Sequence, residues 1–239
     1  MAGAEKKIGS RTAGLRLLGI VAALSPAPAA AGAWVAPEGG QWINSTVLGQ
    51  REDETLYSEG ALYYEAPLRP DTSVVFAPWV ESNHQVTEGW RAEATVAAKH
   101  AFYRSEENVL AVQAGALWLS DPGEGCDEGG AEVRFLGGRS VGEGRAFFNA
   151  EAAARALSGG CEGGRLDLTV GYRPSENWLT MGQVFLDSPV EGDDTLKAQI
   201  TVVRFGRSGR GIQVGLRARI DGGDPEPALV IGLWGRPGD

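Results

Sequence analysis

Between residues 41 and 236 the chain repeats one small pattern: a segment of about 8 to 12 residues whose side chains alternate in polarity, then a connector rich in Gly, Asp or Arg. Alternation with period two marks a β-strand with two unlike faces, because successive side chains of a strand point to opposite sides. In 165–173, Leu166, Leu168, Val170 and Tyr172 oppose Arg165, Asp167 and Thr169. In 212–220, Ile212, Val214, Leu216, Ala218 and Ile220 oppose Gln213, Arg217 and Arg219, and 90–102 sets Trp90, Ala92, Ala94, Val96 and Ala98 against Arg91, Glu93, Thr95 and Lys99.

Read this way, strands are expected near 41–48, 60–67, 73–81, 90–103, 108–119, 131–139, 145–157, 164–173, 177–187, 195–206, 211–220 and 227–235. The first, third and last alternate poorly, which leaves counts of ten or fourteen open. An even count returns both termini to one side, as in bacterial single-chain barrels, and about 9 to 11 residues suits a tilted strand crossing a bilayer. The expected fold is therefore all-β, an antiparallel transmembrane β-barrel of twelve strands. The segment 146–159 is rich in helix formers and competes as a short amphipathic helix, but Ala146, Phe148, Ala150, Ala152 and Ala154 alternate strictly with Phe147, Asn149, Glu151, Ala153 and Arg155, which favours a strand.

The connectors divide by chemistry. Those after odd strands (49–59, 82–89, 120–130, 158–163, 188–194 and 221–226) carry sixteen acidic residues, Glu59 among them, against Arg51 alone. Those after even strands are shorter and hold or border Arg69, Arg104, Arg139, Arg145, Arg173, Arg207 and Arg210. Outer-membrane barrels have short periplasmic turns and longer external loops, so the acidic set is expected outside. On that orientation Trp79, Trp90 and Trp118 fall at external strand ends and Trp42, Trp178 and Trp234 at periplasmic ends, two interfacial girdles; the plainer alternative is Trp marking strand ends of a soluble β protein. Cys126 and Cys161 lie in neighbouring external loops and are expected to form a disulfide in an oxidising compartment; a reactive thiol or metal ligand is the alternative, although two Cys without a nearby His do not make a zinc site.

Residues 1–33 read as a secretory signal peptide: Lys6, Lys7, Arg11 and Arg16, a short apolar run from Leu17 to Leu24, and a small-residue end that suggests cleavage after Ala33. That run is far shorter than the roughly 20 apolar residues of a membrane helix. The mature part, 34–239, is then a single barrel domain. The signal holds four of the 22 Lys and Arg and one of the 31 Asp and Glu, so the mature chain has 18 against 30 and a net charge of −12. Such a chain repels nucleic-acid phosphates, and no nucleic-acid partner is expected.

With apolar faces toward lipid, the polar faces line a lumen. The channel candidates are Arg91, Glu93, Lys99, Glu132, Arg134, Glu151, Arg155, Arg165, Asp167, Lys197, Arg217 and Arg219. Their interleaved signs read either as a structural charge ladder or as a narrow polar channel in which Lys197, Arg217 and Arg219 meet an anionic or sugar-like solute. No catalytic residue and no cofactor or metal is assigned. A lipid hydrolase using Ser82, His84 and Glu88 at the external rim is the weak enzymatic alternative. His100 shares the apolar face with Phe102, which suits an interfacial role, and the loop 221–226 lacks a full calcium ligand set.

The segment GAWVAPEGGQW (32–42) resembles the Gly-Ala-Trp-x-x-Pro-x-Gly start of a group of proteobacterial outer-membrane proteins with generic channel-like or cell-surface descriptions. The resemblance covers about a dozen residues and implies location and fold; it carries over no functional residue. The chain departs from many barrels in running past Trp234 as GRPGD instead of ending on an aromatic residue. The expected function is a narrow channel or solute-binding pore of the Gram-negative outer membrane. The alternative is a closed surface barrel meeting polysaccharide or a protein partner. Both would sit among outer-membrane lipid and lipopolysaccharide.

Overall fold

A computed structural model describes residues 32–51, 54–83, 89–190, 194–220 and 224–237. Twelve strands follow in order: β1 (Gln41–Gln50), β2 (Leu56–Arg69), β3 (Thr72–Asn83), β4 (Trp90–Arg104), β5 (Asn108–Leu119), β6 (Gly129–Val141), β7 (Ala146–Leu157), β8 (Cys161–Ser175), β9 (Trp178–Ser188), β10 (Thr195–Phe205), β11 (Gly211–Arg219) and β12 (Glu226–Gly235). Each pairs antiparallel with its sequence neighbours, and β1 pairs with β12 from Trp42↔Gly235 to Gly49↔Ala228, so the sheet closes on itself and leaves no edge. The twelve expected strands are all present. The largest shifts are β2, which begins at Leu56 instead of near 60, and β8, which begins at Cys161 instead of near 164. The Ala-rich segment is strand β7, paired on both sides from Ala146 to Leu157, because its alternation lets each backbone group join a ladder while Ala and Glu take opposite faces.

The two faces are inverted relative to a water-soluble protein. Val96, Phe135, Val170, Ile200 and Leu216 point outward and are between 52 and 63% exposed, whereas Lys99, Glu65 and Ser73 inside are fully buried. Each such apolar side chain left in water forgoes about 1.5–3 kcal/mol. Five of them forgo an amount comparable to the whole stability of a typical domain, about 5–15 kcal/mol. Hydrocarbon around the barrel removes the conflict. The connectors after odd strands leave at one end, the loop end, and those after even strands at the other, the turn end.

A segment before β1 turns into the lumen from the turn end, an arrangement the alternation pattern gives no hint of. The Gly40 amide bonds the Pro37 carbonyl at 2.9 Å, which reverses the chain. Ala33 and Val35 then pack in a buried cluster with Ala101, Val109, Ala111 and Leu136. Trp34 sits edge-on to Phe147, centroids 6.1 Å apart, and lies directly over Gly138, where a Cβ would stand 2.5 Å from the indole. Gly32 and Ala33, read from the sequence as the end of the signal peptide, are thus inside the barrel, and Ala33 is fully buried.

Candidate functional site

The lumen is organised in three tiers. Lowest, near the turn end, is a buried ion pair between Lys99 Nζ and Glu65 Oε1 at 2.7 Å. Lys99 also donates to the carbonyls of Gly32 (3.0 Å) and Trp34 (2.8 Å), and Glu65 accepts from the Ala36 amide, Gln41, Tyr63 and Ser73. A buried charge left alone costs several kcal/mol, so each of these two holds the other and both hold the inserted segment. The Ala33 amide adds a bond to Asn149 Oδ1 at 3.0 Å.

Above it runs a ladder on β4 and β6 to β9. Arg134 reaches Glu132, Glu151 and Asp167 at 2.8 to 3.3 Å. Arg155 bonds Glu132 at 2.9 Å and spans to Glu93 on β4 at 2.7 Å, while Arg165 meets Asp187 at 2.9 Å. These are five carboxylates against three guanidiniums, and Asp167 Oδ1 and Asp187 Oδ1 are buried without a hydrogen-bond partner. The ladder wall is net acidic.

The third tier lies toward the loop end on β2, β3, β10 and β11, the end that Glu93, Arg155 and Asp187 of the ladder also approach from the rest of the wall. Glu59 Oε1 accepts from Lys197 at 3.0 Å and Oε2 from Arg217 Nη1 at 2.8 Å, which ties β2 to β10 and β11. Nearby, Glu81 is held by Arg51 and Arg91. Three cations lie over aromatic rings: Arg51 over Tyr57 and Arg91 over Trp79 (both 5.3 Å), and Arg217 over Phe185 (5.5 Å). Four cations against Glu59 and Glu81 make this tier net basic, opposite in sign to the ladder.

All twelve channel candidates point into the lumen. Arg91 belongs to the loop-end tier at 48% side-chain exposure, Lys197 and Arg217 share Glu59, and Arg219 pairs across strands with Lys197 and Glu226. Lys197 and Arg217 are therefore both tied to Glu59, one carboxylate for two cations, rather than forming an unpaired positive lining. Glu59, read as part of an external loop, is a buried lumen residue because β2 starts earlier than its broken alternation suggests. Sequence reasoning also left Glu81, Asp187 and Arg51 out of the lumen; all three stand at strand ends, where boundaries read from alternation are least certain.

Two of the six girdle tryptophans are corrected. Trp79 turns inward and its Nε1 points to Glu59 Oε2 at 3.4 Å. Trp234 turns inward too, donating to Gln213 Oε1 at 2.7 Å and stacking edge-on with Phe205. Both belong to strands that are apolar on each face, where parity cannot be read. Trp90, Trp118 and Trp178 lie on the outer face, 40 to 47% exposed, and Trp42 faces outward over Gly235. Cys126 and Cys161 are joined by a disulfide between the β5–β6 loop and the first residue of β8. His100 faces outward beside Thr72, its Nδ1 3.1 Å from the hydroxyl. His84 and Glu88, and residues 221–223 of the 221–226 loop, lie outside the described residues.

No family model matches the chain, and no curated protein sequence does. Solved structures do. The KdgM porin in complex with disordered oligogalacturonate superposes with a TM-score of 0.59 at 7% identity over 81% of this chain and 97% of that one. A second KdgM porin structure gives 0.56 at 8% identity with the same coverage. The two chains share a fold. Outer membrane phospholipase A from Escherichia coli also matches, at a TM-score of 0.45 and 11% identity over 82% of this chain and 91% of that one. The fold common to this chain and the KdgM porin is a closed antiparallel barrel; the lumen here combines the charged groups above with buried apolar clusters around Ala33 and around Leu179.

Proposed function

We propose that this protein is an exported barrel of the Gram-negative outer membrane that passes or binds small polar solutes through a narrow lumen, with its acidic loops facing outward. The observation that carries this is the inverted barrel: an apolar belt outside and several groups of paired charged side chains inside. A soluble β protein has no use for buried Arg, Lys and Glu in this number. The shared fold with the KdgM porin and the GAWxxPxG resemblance support the same reading, and no catalytic step is assigned.

The loop-end tier suits a carboxylate-bearing sugar or a similar small anion. Arg217 on Phe185 and Arg91 on Trp79 each join a guanidinium, which matches a carboxylate, to a ring face, which matches the apolar face of a sugar. A solute carboxylate would compete with Glu59 and Glu81 for those cations, so weak binding and passage are expected rather than tight capture. In planar bilayers the protein should give small ionic currents. Neutralising Arg217 and Arg219 to Gln should shift the reversal potential toward cation preference, and addition of galacturonate oligomers should reduce the current. Absence of current in the intact protein and in variants lacking the inserted segment sinks this reading.

One observation favours a second reading. The inserted segment and the salt bridges that span the lumen, Glu59 to β10 and β11 and Arg155 to β4, also fit a closed surface barrel whose acidic loops meet matrix polysaccharide or a protein amid lipopolysaccharide. That barrel conducts nothing, and deleting its loops impairs surface attachment.

A further inference from the structure

Two hollows adjoin on the wall, and Phe102 lines both. The first, at the turn-end rim, lies between the β2–β3 turn and the last residues of β4, where Arg69, Asp71 and Arg104 join Phe102 in lining it. A bulge between Pro67 and Arg69 sets Arg69 opposite Thr72, and Thr72 pairs in turn with the outward His100. Two guanidiniums against one carboxylate, +2 and −1, leave this lining at a net charge of +1. The Asp71 carboxylate accepts from the Thr72 hydroxyl at 3.1 Å. Among the described residues neither Arg69 nor Arg104 is in a salt bridge, unlike Arg139 at the same end, which meets Glu107 at 3.5 Å.

The second hollow, of about 250 Å³, faces lipid. Phe102, Leu110, Phe135 and Leu166 stand around it, and between them Gly137 and Ala150 pair across β6 and β7, where small side chains leave the wall low. Its course follows from the register. A rung that starts at Lys99 near the turn end passes through Gln113, Arg134, Ala153 and Arg165 and reaches Asp187 at the loop end of β9, so the sheet climbs from β4 toward β9. The hollow climbs with it, from Phe102 beside the turn end of β4 to Leu166 near the middle of β8. Four strand spacings measure about 19 Å. Half of a bilayer's hydrocarbon core is about 15 Å thick, so this trough has the reach of one acyl chain.

A trough that begins at a basic rim and ends near mid-membrane fits a single lipid, because guanidiniums bind phosphate and the small floor takes a chain. A second copy of the barrel would cover the trough but leave the guanidiniums unanswered. We infer that this wall holds one acidic glycerophospholipid of the turn-side leaflet, its phosphate at Arg69 and Arg104 and one acyl chain over Gly137 and Ala150. The inference rests on the membrane reading above.

The test titrates the whole barrel in detergent with phosphatidylglycerol or phosphatidylethanolamine and counts bound lipid by native mass spectrometry. Wild type should retain one phosphatidylglycerol at least about tenfold more tightly than phosphatidylethanolamine, the preference that two basic residues at a membrane surface supply. R69Q/R104Q should bind the two lipids alike. A150F, which fills the trough on a lipid-facing position, should lose both while keeping the heat-modifiable migration of a folded barrel. Glycerophosphate, which lacks acyl chains, should not displace the lipid. Equal binding of both lipids by wild type, unchanged binding in either variant, or displacement by glycerophosphate overturns the site. A dimer that A150F dissolves overturns it in favour of a second copy. A chain that stays soluble without detergent overturns the membrane reading instead, so the two failures are distinct.

Discussion

Replacing Lys99 by Met tests whether the lowest tier holds the inserted segment. Lys99 and Glu65 are both fully buried, so K99M leaves a carboxylate without its cation in a site closed to water. Breaking a buried pair from one side costs about 3–5 kcal/mol. Glu65 keeps its donors from Gln41, Tyr63, Ser73 and the Ala36 amide, which places its share at the lower end. Two carbonyls, of Gly32 and Trp34, lose their donor as well, at about 1–3 kcal/mol each if they stay buried. Those two costs favour withdrawal of the segment over keeping it in place. K99M is therefore expected to lose about 3–5 kcal/mol in urea titrations followed by Trp fluorescence in detergent, and to show larger single-channel currents. The double variant K99M/E65Q should be more stable than the sum of the single variants by about 1–3 kcal/mol, since the second change removes the stranded charge. A K99M barrel within 1 kcal/mol of wild type, or strictly additive single variants, would refute the view that this pair is a unit.

Val96 lies outward near the middle of β4 at 52% exposure. V96R should cost about 2–4 kcal/mol in lipid vesicles, the penalty of a cation at the bilayer midplane, whereas a barrel that works in water should tolerate it nearly unchanged. The Cys126–Cys161 disulfide closes a separation of 35 residues. C126S should lose about 3–4 kcal/mol by the chain-entropy estimate, seen as a lower temperature for the shift in heat-modifiable gel migration; an unchanged transition would mean the unfolded loop is already restrained.

Much of this fold is written in the alternation itself. RLDLTVGYR and IQVGLRARI carry polar residues on one face only, and those strands fall where alternation places them, with Asp167, Arg217 and Arg219 inward. Where both faces are apolar the parity vanishes: Val75, Ala77 and Trp79 alternate with Val74, Phe76, Pro78 and Val80, and nothing local says which set is inside. The partners of the ladder were equally hidden, because Arg155 and Glu93 are brought together by barrel curvature and not by a shared register. The inserted segment had one trace in the sequence. Trp34 and Val35 are apolar residues outside any strand, and such residues need a cavity that no strand pattern describes.

Glu59 has a consequence for how the barrel assembles. Its partners, Lys197 and Arg217, lie 138 and 158 residues further along the chain, on strands that can approach β2 only when β12 meets β1. In an open sheet the three groups remain hydrated and indifferent to one another. Their attraction arises only once the seam has zipped, so in a barrel whose slow step precedes closure it is absent from that step and present in the finished wall. Interactions of that kind leave the folding rate alone and slow unfolding. A carboxylate placed near the start of the chain thus acts as a ratchet for its end, and the lifetime of the closed barrel in the membrane is set in part by a contact that plays no role in building it.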